Sequence, residues 1–172
     1  MVALVAAVLG VFAIVLVLDL RSGGGGAPSG VEDVDVGGVG RHTEGAVDYP
    51  QSPPAGGEHN PVWQNAGFYE EPVRNETAVH TLEHGGVWIT YRPDLSREQK
   101  DAIRELADAQ TCVLASPYEG LDAPVVASAW GKQLRLESAD DPELESFIRT
   151  YHQGPQTPEP GASCTGGTAA TL

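Results

Sequence analysis

Six consecutive residues, Gly86–Tyr91 (GVWITY), limit the fold of this chain more than any other segment. They are apolar at odd and even positions alike and rich in β-branched and aromatic side chains, so the strand they predict must be covered on both faces. The covering layers are legible on either side of it. Before it, NETAVHTLEHG predicts a short helix capped by Asn75, with Glu76 in its first turn and Gly85 as its stop. After it, Pro93 ends the strand, and Ser96 with Gln99 forms a capping box for a helix to about Ala109. Ile103, Leu106 and Ala107 make the single apolar stripe of that helix. Cys112–Ser116 and Pro124–Trp130 read as strands, and Gly131-Lys132 as a hairpin turn into Gln133–Glu137. Asp141 and Pro142 open a last helix with Leu144, Phe147, Ile148 and Tyr151 at i, i+3, i+4 and i+7. The expected fold is therefore α+β, a small mostly antiparallel or mixed sheet with two to three packed helices.

Ahead of this domain lies Val2–Leu18 (VALVAAVLGVFAIVLVL), uncharged throughout, which reads as an N-terminal transmembrane helix at the short end of the spanning range. The alternative, a cleavable signal peptide, has a shorter apolar stretch and a small-residue cleavage pattern that does not follow here. The expected organisation is a membrane anchor over residues 1–20, a flexible Gly-rich acidic linker over 21–40, and a single domain over 41–167. Arg21 after the run, with no basic residue before it, would by charge alone set the domain in the cytoplasm. The expectation here is nevertheless a single-pass cell-membrane protein with an extracytoplasmic domain, its natural start lying upstream with a basic stretch. With 24 acidic against 10 basic residues the net charge is −14, which repels phosphate backbones and excludes nucleic acid as a partner. An envelope protein partner is left open. The tail from Gly154 is expected to lie extended on the surface or to dangle. Two cysteines occur, Cys112 and Cys164. Outside the cell they can form a disulfide; alternatively Cys112 is a buried free thiol and Cys164 stands idle in the tail.

Chemistry concentrates in the histidines. His80 and His84, at i and i+4, stack on one face of the short helix, where two imidazoles can share a metal ion; on a strand they would stand about 13 Å apart. His59, in a Gly/Pro loop able to fold back over the helix, is the third expected ligand, with His42 behind it and Glu83 orienting a ligand from outside the coordination shell. Thioether and thiolate donors are scarce, so Zn(II) or Cu(II) on nitrogen is favoured over Cu(I). Two other uses compete. The same residues can form a hydrogen-bonded core in a structural or interaction module with no metal, His80 and His84 meeting the negative end of the helix. His80, Glu83 and His84 also fit H-x-x-E-H, the pattern of a zinc hydrolase with Glu as general base, which would further need a carboxylate such as Glu143 or Glu145 and a substrate cleft. Trp88 and Trp130 are expected in the core, Trp63 being the one tryptophan free for a ligand.

The segments HTEGAVDYPQSPPAGGEHNPVWQNAGFYEEPV, NETAVHTLEHGGVWITYRPDL, SPYEGLDAPVVASAWGKQLRL and FIRTYHQGPQTPEPGASCTGG resemble the bacterial family known as domain of unknown function 3105 over about Arg41–Gly167. The resemblance implies a membrane-anchored, mostly actinobacterial protein with no established activity, and matches the family pattern at His42, His59, Trp63, Asn65, His80, Glu83 and His84. It also implies a cysteine after Asn65, where this chain has Ala66; a bridge from that loop to Cys164 is then impossible, and Cys112 is the one substitute partner.

Overall fold

The computed structural model describes residues 27–172, so the apolar run Val2–Leu18 and its direction lie outside the described residues. Among the described residues no helix is long and apolar enough to cross a membrane. Among the described residues nine elements follow in order: β1 Glu32–Asp33, β2 Gly67–Phe68, α1 Asn75–Glu83, β3 Val87–Tyr91, α2 Arg97–Ala109, β4 Val113–Pro117, β5 Val125–Ala129, β6 Lys132–Leu136 and α3 Pro142–Tyr151. The strands form one mixed sheet in the order β1-β6-β5-β3-β4-β2. β3 is central, parallel to β4 across the α2 crossover and antiparallel to β5.

Strand β3 is buried at every position, as its composition requires. Val87, Ile89 and Tyr91 face one layer, where Ile103 and Ala107 of α2 and Leu144, Phe147 and Ile148 of α3 complete an apolar core. Trp88 points the other way, joining Leu114, Trp130 and the Ala78, Val79 and Leu82 side of α1. Helices α2 and α3 follow their sequence signals. Ser96 Oγ accepts from the Gln99 N–H at 3.4 Å, although the Gln99 side chain completes no box and instead accepts from the Ala139 N–H. The Asp141 carboxylate accepts from the Glu143 N–H at 3.0 Å with Pro142 beside it.

Helix α1 is different. All its residues from Glu76 to Glu83 are buried, including charged and hydroxylated ones. It is capped by the Arg74 backbone without a side-chain bond, not by Asn75, whose amide instead reaches the Tyr118 hydroxyl at 3.3 Å. Its end is a Schellman turn: Gly86 N–H donates to Thr81 C=O and Gly85 N–H to Leu82 C=O. Gly85 has φ +90°, and a β-carbon there would meet Gln153 and Thr157 of the tail at 2.9 Å.

Two expectations are corrected. The stretch expected as flexible linker up to residue 40 contributes the edge strand β1, paired with β6, and Val36 packs on the α1 side of the sheet. Its valines, spaced irregularly among acidic residues, gave no period to read. The hairpin turn is Trp130-Gly131, one residue earlier than expected, because Ala129 and Lys132 are already paired. Of the two placements expected for the tail, it takes the surface one: it runs back over α1, pairs Thr168 with Gln64, and is fixed by a Cys112–Cys164 disulfide with Cα atoms 5.3 Å apart. Ala66, where the family resemblance calls for cysteine, lies against that point, its N–H donating to the Cys164 carbonyl at 2.8 Å.

Candidate metal centre

Helix α1 presents its polar residues to two loops. Residues 59–66 run along one side, where Asn60 N–H and Gln64 N–H donate to the Glu76 and Thr77 carbonyls, and Thr81 Oγ1 donates to the Gln64 carbonyl at 2.6 Å. Residues 40–43 lie beside this loop, joined by Thr43 N–H to His59 C=O at 2.7 Å and His59 N–H to Arg41 C=O at 3.0 Å. That pairing sets His42 and His59 side by side over His80 and Glu83.

The result is a compact group. His42, His59, His80 and Glu83 each offer one ligand atom, all within 4.8 Å of one another. The three imidazole centroids are 4.8–5.0 Å apart. His59, His80 and Glu83 are buried, whereas the His42 side chain is 42% exposed and forms the mouth of the group.

Hydrogen bonds fix the tautomers. His59 Nδ1 lies 2.7 Å from the Gly57 carbonyl and His80 Nδ1 2.7 Å from the Asn60 carbonyl. A carbonyl only accepts, so both Nδ1 atoms carry protons. In a neutral imidazole that leaves Nε2 as a bare lone pair, the arrangement in which metal-bound histidines are oriented by an outer carbonyl. Burial holds the His80 imidazole down to about 4, opposed by its Asn60 hydrogen bond and reinforced by His84, His59 and His42, so at neutral pH it is an uncharged donor.

One contact stands out. His59 Nε2 and Glu83 Oε2 are 2.9 Å apart, yet both are buried without a hydrogen-bond partner. Glu83 Oε1 is satisfied by the Gly40 N–H at 2.7 Å, so Oε2 alone is left facing the imidazoles, with His42 Nε2 at 3.9 Å. Two acceptors cannot face each other in a dry interior without something positive between them, either a proton on Nε2 or a cation. A tetrahedral ion at about 2.0–2.1 Å from each donor needs donors about 3.3 Å apart. The His59–Glu83 edge, at 2.9 Å, is shorter than that and the His42–Glu83 edge, at 3.9 Å, longer, within a set whose donor atoms reach up to 4.8 Å apart, so the group must contract around an ion to form a tetrahedral shell. Both cysteines are bridged, leaving a nitrogen and oxygen set suited to Zn(II) or Cu(II).

His84 stands outside this group. Its Nδ1 donates to the Ser163 carbonyl at 2.6 Å and its Nε2 lies 3.7 Å from the exposed carboxylate of Glu159. Its ring is 4.5 Å from that of His80 and 5.0 Å from that of Trp63. The helix therefore brings the i, i+4 pair side by side but turns His84 to the tail, while Glu83, at i+3 from His80, faces the loop histidines directly. That i, i+3 spacing was the available signal for Glu83. Nothing in the sequence reveals which carbonyl orients which ring. Trp63 is packed between His80, His84 and the tail, and Trp88 and Trp130 are core residues, with Trp88 Nε1 donating to Ser116 Oγ. Glu143, considered as a hydrolase ligand, bonds Ser29, and Glu145 follows it on α3; neither joins the group. A groove of about 640 Å³ beside β2, α2 and Tyr91 has none of these histidines in its lining.

A family model described as a protein of unknown function (DUF3105) matches residues 41–166. No curated protein and no solved structure matches the chain.

Proposed function

The chain belongs to the DUF3105 family of proteins of unknown function, and from its site we propose that it binds or handles a transition metal, Zn(II) or Cu(II), through His42, His59, His80 and Glu83. The observation that carries this is the buried, unpartnered pair His59 Nε2 and Glu83 Oε2, held face to face while both histidine Nδ1 atoms are committed to carbonyls. Such a pair costs several kcal/mol of desolvation unless a cation or proton joins it. A hydrolase reading has less support, because the two histidines of the H-x-x-E-H pattern diverge and Glu83 is engaged by Gly40 and the imidazoles. The leading competitor is a metal-free structural module in which a proton on His59 takes the cation's part.

We further propose that the protein is held to the cell membrane by Val2–Leu18 with its domain on the extracytoplasmic side. The Cys112–Cys164 disulfide supports an oxidising compartment.

The test is metal retention by the full-length chain in detergent. After chelator stripping and dialysis against Zn(II) or Cu(II), one equivalent is expected in the native chain and none in His80→Ala or Glu83→Gln. At free metal about 100-fold above its Kd, stability should rise by about 2.7 kcal/mol. No retention, or equal retention in both variants, overturns the assignment.

A further inference from the structure

The four donors differ in how they are held. His59, His80 and Glu83 are 0–5% exposed and built on α1 and its hydrogen-bonded loop. His42 is 42% exposed and sits on residues 37–43, a strap that follows β1. The strap touches the site through few bonds: the pairing of residues 41 and 43 with His59, and the Gly40 N–H on Glu83 Oε1. At its start, Gly37 and Gly40 have φ of +70° and +66°, and a β-carbon at either would meet nothing within 4 Å. The backbone at both takes a glycine conformation with open space where a β-carbon would stand, and of the two it is the Gly40 N–H that bonds the site. Val39, between them, is 58% exposed.

We infer that His42 is the exchangeable ligand of the site, carried on a glycine-hinged strap over residues 37–43 that closes when the ion binds and swings away to let it leave; this rests on metal binding at the cluster. Three buried donors hold the ion while the fourth position changes hands. The His42 Nε2–metal bond would break as a nitrogen or oxygen donor of the incoming acceptor forms its own bond, giving an ion shared between acceptor and protein; transfer is complete when further acceptor donors replace His59, His80 and Glu83 in turn, so the ion passes without becoming free. Metal is thereby cargo rather than a fixed structural element, and its partner class is a chelating imidazole or carboxylate donor able to reach one open coordination position.

Closure and binding are reciprocally linked. If metal is held more tightly with the strap closed, saturating metal must suppress strap opening by the same factor. Arg41, exposed within the strap, provides the readout as a trypsin site. The full-length chain in detergent is digested with and without saturating Zn(II), while bound zinc is counted in parallel. Cleavage after Arg41 is expected to slow about 10- to 100-fold with zinc, the range in which even outer-shell partners change metal affinity. His42→Ala is expected to retain zinc with affinity lowered by that same factor, to lose the protection of Arg41, and to release zinc to a colorimetric chelator faster. Zinc bound at one equivalent with unchanged cleavage at Arg41 overturns the strap while leaving the metal assignment standing. Failure to bind either Zn(II) or Cu(II) overturns both. Chelator exchange at the same rate in His42→Ala and native chain shows that His42 is not the exchange position.

Discussion

The two faces of the sheet are held by different physics. On one, α2 and α3 bury an unbroken apolar set centred on Ile89, Ile103 and Phe147. On the other, α1 is buried from Glu76 to Glu83 with two threonines, one histidine and two glutamates, and its surroundings are loops that meet it through backbone and side-chain hydrogen bonds. The first face is stabilised by area removed from water, which is indifferent to direction. The second depends on every polar group finding its partner, and is therefore specific and sensitive. A chemical site belongs on the second.

The sharpest way to separate the faces is to damage each alone. Phe147→Ala, at a fully buried position of α3, should cost about 3–5 kcal/mol in denaturant unfolding while leaving metal affinity unchanged. A loss of affinity comparable to that of Glu83→Gln would mean the faces are not independent. Next in size is the disulfide that ties the tail across α1. With a sequence separation of 52 between its cysteines, Cys112→Ser with Cys164→Ser should lose about 4 kcal/mol on the chain-entropy account. Hydrogen exchange should accelerate in the tail and α1 and hardly at all in α3; uniform acceleration would break the comparison.

A smaller effect comes from acid. His80 has its folded pKa lowered to about 4 from 6.5, so the unfolded chain binds the proton more readily across that window. Stability is then complete above about pH 6.5, falls as pH drops towards 4, and the loss amounts to about 3 kcal/mol for the metal-free protein. His80→Gln should flatten that part of the pH profile, and a profile with the same slope in both would contradict the burial account.

The apolar face was legible in the sequence because its signals are local. Ser96, Asp141 and the Leu144–Tyr151 spacing mark helices whose partners need not be known, and GVWITY announces burial on both sides. The polar face was legible only in part. The helix ending at Gly85 was visible, and so were the histidines worth watching. But His84 looked equivalent to Glu83's neighbour His80 until the Ser163 carbonyl, about eighty residues away in sequence, was seen to turn it to the tail. Glu83 is expected behind the histidines and instead lies among the grouped donor atoms, a placement that depends on the Gly40 N–H, at the end of the stretch that reads as linker. Edge strand β1 has two residues and the tail makes backbone bonds with no apolar period. Neither leaves a pattern for periodicity to find.

X-ray absorption at the metal edge of the Zn(II)-loaded full-length chain tests the central claim most directly. The account predicts four nitrogen or oxygen neighbours at about 2.0–2.1 Å, with imidazole outer-shell scattering from three rings that falls to two in His42→Ala. A sulfur neighbour at about 2.3 Å, or a shell without imidazole scattering, would contradict it.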